Sequence, residues 1–153
     1  MDSLNAILKK RAIELGMCRK FEEKWTYSWD DGELCSNYKQ GIDFCIENDF
    51  PSLDFIRSYF NKDSLKEFGI FIDHSFGTES RPLSNGTYVI LGESRGIMKF
   101  GRWTAAVVYV RHSSDIKIEA GDFSKITVIA YEDSSVDVIG AENAKIKFKD
   151  KRL

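Results

Sequence analysis

From about Asn85 onward, hydrophobic and polar positions recur every ten residues. Ile116, Ile126, Val136 and Ile146 form one column, with Ala106 and Gly96 above them. Ile118, Val128, Val138 and Phe148 form the next, which continues upward through Val108, Met98 and Tyr88. A third column, Ser94, Thr104, Ser114, Ser124, Ser134 and Ala144, is small throughout. Self-similarity at a fixed period marks stacked structural units. Within each unit the aliphatics sit two apart, as in Ile116-Lys117-Ile118, the period of a strand with one buried face. The small column, flanked by Gly, Asp, Asn and Lys, falls where the chain must turn.

An antiparallel meander with regular turns would also repeat every ten residues. A longer period decides between the two. At a spacing of twenty, Gly101, Gly121 and Ala141 align, as do Trp103, Phe123 and Asn143; the intervening units carry Leu91, Arg111, Tyr131 and Glu93, Ser113, Asp133 instead. A coil of about 20 residues with two strands and two unlike turns explains that alternation directly. The second half therefore predicts a β-solenoid of roughly three coils, its parallel strands about 4.8 Å apart. Neither the calcium-binding G-G-x-G-x-D repeat nor a pentapeptide repeat fits the pattern.

The same period sorts the outward positions. One sheet presents Val89, Tyr109 and Ile129 beside Thr87, Val107 and Thr127; the other presents Lys99, Glu119, Lys117 and Asp137, interrupted by Ile97 and Ile139. The first set is too apolar to leave in water, so Val89, Val107, Tyr109, Thr127 and Ile129 are expected to form an interface. Either the chain's own helices or a second subunit would cover it. At the far end, alternation points Ile146 and Phe148 inward and Lys145, Lys147, Lys149 and Lys151 outward. Such a charged strand deters strand addition by other molecules. The rival reading is a basic patch for nucleic acid or an acidic protein, which predicts salt-sensitive retention on DNA.

The first half has helical spacing instead. Leu4, Ile7, Leu8, Ala12 and Leu15 mark an amphipathic helix that Asp2 or Ser3 caps and Gly16 ends. Phe21 and Trp25 suggest a short continuation, followed by an aromatic loop from Trp25 to Gly32 that Asp30 and Asp31 turn over. A second helix follows from Glu33 to Ile46, a third after Ser52, and a fourth opens at Ser64-Leu65-Lys66-Glu67 as a capping box. The fold class is thus α+β: a helical head over residues 1–72 that ends in the strand-like run Ile70-Phe71-Ile72, a linker or loop over 73–84, and the solenoid over 85–153.

Composition narrows the function classes. A chain of 153 residues with 42% hydrophobic residues suits a folded domain with its own core. Lys and Arg number 11 against 15 acids up to Ser84 and 11 against 9 beyond it, a contrast too mild for a nucleic-acid signature. Cys18, Cys35 and Cys45 lack zinc spacing and read as thiols in a reducing compartment. The start lacks the basic and apolar regions of a signal peptide, and no run is long enough for a membrane helix. A cytoplasmic product is expected, with later packaging into a virus particle left open.

Candidate chemistry is sparse. Trp25, Tyr27, Trp29 and Trp103 offer a platform for a glycan or peptide, since such rings supply contact area at small entropic cost; the competing reading has the indoles plugging a hydrophobic junction. His112 lies in Arg111-His112-Ser113-Ser114-Asp115, which holds the residue types of a hydrolase triad, but neighbours in one turn do not normally reach triad geometry. His74 beside Asp73 could ligate a metal with Glu79, without any recognised spacing. Asp30 and Asp31 are candidate acid/base carboxylates that more simply turn the chain. No catalytic residue, cofactor or metal is assigned on this basis. The expected partner is protein, a second copy included, rather than membrane or nucleic acid.

Two resemblances add to this. The Ile-x-Ile-x-Ala and Val-x-Val-x-Gly strands resemble bactofilins and adhesin-head-like β-helices in style. The run from Tyr38 to Ser52, then Asp54-Phe55-Ile56-Arg57 and the repeat, resembles an uncharacterised family encoded by phages, prophages and mobile elements of gut Bacteroidales. That resemblance implies a mobile-element product and transfers no catalytic residue. The function expected is a non-enzymatic structural or interaction protein assembling through the apolar sheet or an open coil end. A glycan or cell-surface binding module is the alternative, and a small hydrolase the least favoured.

Overall fold

The structure is a computed structural model and describes residues 3–26, 28–77 and 82–152. The chain divides into two compact units, Met1–Phe68 and Gly69–Leu153.

The described residues of the first unit form six helices: α1 (Leu4–Glu14), α2 (Arg19–Lys24), α3 (Asp31–Gln40), α4 (Ile42–Glu47), α5 (Leu53–Tyr59) and α6 (Lys62–Glu67). Capping explains most of their starts, because a side-chain oxygen satisfies backbone donors left open in a first turn. Ser3, Asp30 and Ser52 accept from the N–H groups of Ala6, Glu33 and Phe55. The helix expected from Glu33 to Ile46 is two helices, broken at Gly41, a residue that supports helical backbone poorly. The capping box expected at Ser64 does not form the cap of α6. Asn61 does, accepting from Asp63 and Ser64 N–H, so the helix starts three residues earlier. Leu8, Ala12, Trp25, Leu34, Cys45 and Phe50 make the buried core of this unit, with Phe21, Trp29 and Tyr38 packed against it.

The second unit winds as a two-sheet parallel solenoid. One sheet has the order β1 (Ile70–Ile72), β3 (Gly86–Leu91), β5 (Ala105–Val110), β7 (Lys125–Tyr131), β9 (Lys145–Lys151). The other has β2 (Ser75–Phe76), β4 (Arg95–Phe100), β6 (Asp115–Ala120), β8 (Ser135–Gly140). Every strand pair among the described residues is parallel, and from β3 onward partners lie twenty residues apart: Val89 beside Tyr109, Tyr109 beside Ile129, Ile118 beside Val138. The meander is thereby excluded.

The winding makes about four coils, since it begins before Asn85. Ile70–Ile72 and Ser75–Phe76 form a first coil, and the register of β1 on β3, Ile70 to Val89, is nineteen residues. That offset takes β1 out of phase with the repeat, while β2 on β4, Ser75 to Arg95, keeps the spacing of twenty. Gly96 completes the fit: its φ is +118°, and a β-carbon there would meet the Phe76 carbonyl oxygen at 2.2 Å.

Inward side chains fill the space between the sheets. Ile90, Val108, Ile118, Val128 and their column neighbours are fully buried and form one continuous cluster. Two unlike turns alternate, as the twenty-residue period implied. On one side the left-handed residue is the second of the turn, Trp103 (φ +62°) and Phe123 (+59°); on the other it is the first, Gly92 (+70°), His112 (+59°) and Glu132 (+58°). The small column is buried polar chain. Ser94 Oγ donates to the Leu91 carbonyl (2.9 Å), Ser124 Oγ to that of Gly121 (2.6 Å), and Ser114 Oγ to that of Gly92 (2.9 Å) while accepting from Ser94 N–H (3.2 Å). A larger residue would fill the turn; a non-polar one would leave these carbonyls without that donor.

Candidate functional site

The solenoid exposes its inner face at one place among the described residues, the last coil. β8 and β9 end their sheets, so each has one edge that no described strand pairs. Ile126 and Val128 on β7 are 1% and 0% exposed; Ile146 and Phe148, their register partners on β9, are 37% and 40% exposed. Val136 and Val138 on β8 are half-buried, and Ile139 on its outer face is 53% exposed. The same residue types occupy the same columns, and no described coil lies below the last pair.

One end of this strip carries a polar clamp. Asp150, in the inward phase after Ile146 and Phe148, accepts from Arg152 Nε (2.9 Å) and Nη2 (3.0 Å). The guanidinium also donates to the Ser134 carbonyl (3.1 Å) and lies 5.7 Å from the Phe148 ring centroid. The Arg152 hydrogen bonds lower the Asp150 carboxyl to about 2. Along the outer side of β9, Lys145, Lys147, Lys149 and Lys151 are all exposed.

The other expected site residues are scattered. The outward row lies on the five-stranded sheet in the anticipated register, Thr87 beside Val107 beside Thr127. Val89 and Ile129 are buried and Val107, Tyr109 and Thr127 half-buried. The rings expected to form the aromatic platform fall in both units. Trp25 is buried, donates from Nε1 to Asn5 Oδ1, and stacks on Trp29 at 5.0 Å inside the helical core. Tyr27 lies outside the described residues. Trp103 belongs to the solenoid unit, is 69% exposed, and stacks at 4.5 Å on Phe123, which is 41% exposed.

The candidate chemistry is occupied by structure. His112 Nδ1 accepts from Gly92 N–H at 3.0 Å, and the Ser114 hydroxyl is buried in its turn bonds. Asp73 Oδ1 accepts from Glu93 N–H, Glu132 Oε1 from His112 N–H, and Asp122 Oδ1 from Asn143 N–H. Polar turn side chains thus serve backbone donors of the neighbouring coil, which a single-residue motif search does not reveal but the twenty-residue spacing does. His74 packs against Phe71 and Phe76, and the Glu79 expected to join it lies outside the described residues. Among the described residues no group of three His, Cys, Asp or Glu is placed to hold a metal ion, and no helix is long and apolar enough to cross a membrane. Arg111, buried at 3%, donates from Nε to Glu132 at 2.8 Å and braces that side of the stack. Cys35 and Cys45 are buried thiols, Cys18 an exposed one. No protein-family model, curated protein or solved structure matches this chain.

Proposed function

We propose that this chain is a non-enzymatic structural scaffold that assembles with protein through the open end of its solenoid. The observation that carries the reading is the jump in exposure from Ile126 and Val128 to Ile146 and Phe148 within one column. Solenoid coils bury their apolar faces against neighbouring coils, and an uncovered end presents that face to a partner. Three cysteines without zinc spacing support folding in the reducing cytoplasm, and the run from Tyr38 to Ser52 supports a phage or mobile-element origin. Light scattering over a concentration series, together with capture on immobilised chain, tests the assembly. Wild type is expected to exceed its 17.5 kDa chain mass or retain a protein that Phe148→Asp loses while keeping its fold. A one-chain mass at every concentration, with identical capture by both forms, overturns it.

One observation favours a second reading, ligand recognition through aromatic rings: the exposed Trp103–Phe123 stack. A glycan array that is positive for wild type and blank for Trp103→Ala would support it; an array blank for wild type removes it.

A further inference from the structure

We infer that the free edge of β9 docks an extended segment of another protein in which acidic and apolar side chains alternate. The inference rests on the assembly reading above and names the chemistry of the partner. Three features converge on this one strand. Its outer edge carries backbone donors and acceptors that no described strand pairs, and an added strand would pair them. Its inward side chains Ile146 and Phe148 are more than a third exposed. Its outward side chains Lys145, Lys147 and Lys149 form a row of one sign.

Strand pairing converts these features into a sequence requirement. Side chains directly opposite each other in neighbouring strands share a face, as Ile126 with Ile146, Val128 with Phe148, and Thr127 with Lys147 already do. An incoming strand would therefore set apolar residues below Ile146 and Phe148 and acids beside the lysines. Asp150 and its bound Arg152 occupy the next positions and end the apolar row. The matched stretch is acid, apolar, acid, apolar, acid over residues 145–149.

Other occupants fit less well. A second copy placing β9 against β9 would oppose lysine to lysine, which destabilises the pair. The outward row of β8 offers Ser135, Asp137 and Ile139, a single acid. Nucleic acid would meet the lysines but leave Ile146 and Phe148 in water and the edge unpaired. A lysine row on an edge strand discourages indiscriminate strand addition; here the same charges admit an acidic strand and turn away neutral or basic ones.

The test uses the full chain and a fluorescein-labelled peptide, Ser-Glu-Val-Glu-Val-Glu-Ser, followed by fluorescence anisotropy and by backbone amide shifts. Saturable binding is expected, with the largest shifts at residues 145–149. The Lys147→Glu, Lys149→Glu double variant should bind it roughly ten-fold more weakly and gain affinity for the lysine counterpart, Ser-Lys-Val-Lys-Val-Lys-Ser. A proline in place of the central glutamate, which lacks the N–H, should abolish binding. Absence of binding at millimolar peptide, shifts located elsewhere, no exchange of preference in the double variant, or tighter binding of an oligothymidylate that Phe148→Ser leaves unchanged would each overturn the proposal. Assembly that persists and still depends on Phe148 while the peptide fails would remove the strand proposal alone; loss of that assembly would remove the scaffold reading as well.

Discussion

Ile126 and Ile146 are register partners in one column of the solenoid, and truncating each in turn isolates what coil-on-coil burial contributes. Ile→Ala removes three carbons, worth about 2.4 kcal/mol at about 0.8 kcal/mol each when fully buried. Ile126 is 1% exposed within the continuous core, so its truncation also leaves a cavity, and the total should reach about 3–4 kcal/mol. Ile146 is 37% exposed at an end that water already reaches, so its loss should cost roughly 1–1.5 kcal/mol without a closed cavity. Because the chain has two compact units, global unfolding need not be a single transition. Amide hydrogen exchange at β5 and β7 reads the solenoid itself. The Ile126→Ala form should lose protection across both strands, whereas Ile146→Ala should loosen mainly β9, as expected of a stack stabilised by nearest neighbours. Equal losses of protection in the two variants would refute the claim that the last coil lacks cover, and the open-end proposal with it.

Further outcomes follow from particular contacts. Gly121→Ala would bring a β-carbon to 2.7 Å from the Gly101 carbonyl carbon, a backbone clash with no flexible chain to yield, and should destabilise the solenoid by about 1–3 kcal/mol in urea melts. Ser114→Ala removes a buried hydroxyl that donates to Gly92 and accepts from Ser94, and should cost about 1–3 kcal/mol by the same measurement. Glu132→Ala takes an acceptor from buried Arg111 and should cost about 1.5–3 kcal/mol, with Glu132→Gln recovering part of it. Burial, and then the nearby Asp31 charge, raise the Cys35 thiol to about 11. Its thiolate forms in the unfolded chain first, so the helical unit should lose stability as pH climbs from about 9 to about 11. Cys35→Ala should flatten that decline in a thermal-melt series, and at pH 8 iodoacetamide should label exposed Cys18 well ahead of Cys35 and Cys45.

How much of this was legible in the residues depends on the range of the interaction involved. The solenoid was, because its determinants repeat: aliphatics two apart set the strands, the small column sets the turns, and the alternation of Trp103 and Phe123 with Ser113 and Asp133 already separates a coil from a meander. The first coil was not, because Ile70 pairs with Val89 at a spacing of nineteen and its strands are too short to show a period of their own. Local rules placed α1 and the Ser52 cap correctly but pointed to Ser64 as the cap of α6, where Asn61, a competent cap three residues earlier, takes that role.

What the sequence by itself determined, then, is the winding, its register and the direction each side chain takes from the strand, since these follow from periodicity along the chain. What only the tertiary structure decided is which of those side chains water can reach. Ile126 and Ile146 are the same residue in the same phase, yet one lies between coils and the other in the last described one; Trp25 and Trp103 are equally aromatic, yet one is sealed in a helical core and the other stands in solvent. Periodicity specifies orientation, whereas exposure depends on what packs across the gap, and that is a property of the assembled coils rather than of any stretch of the chain.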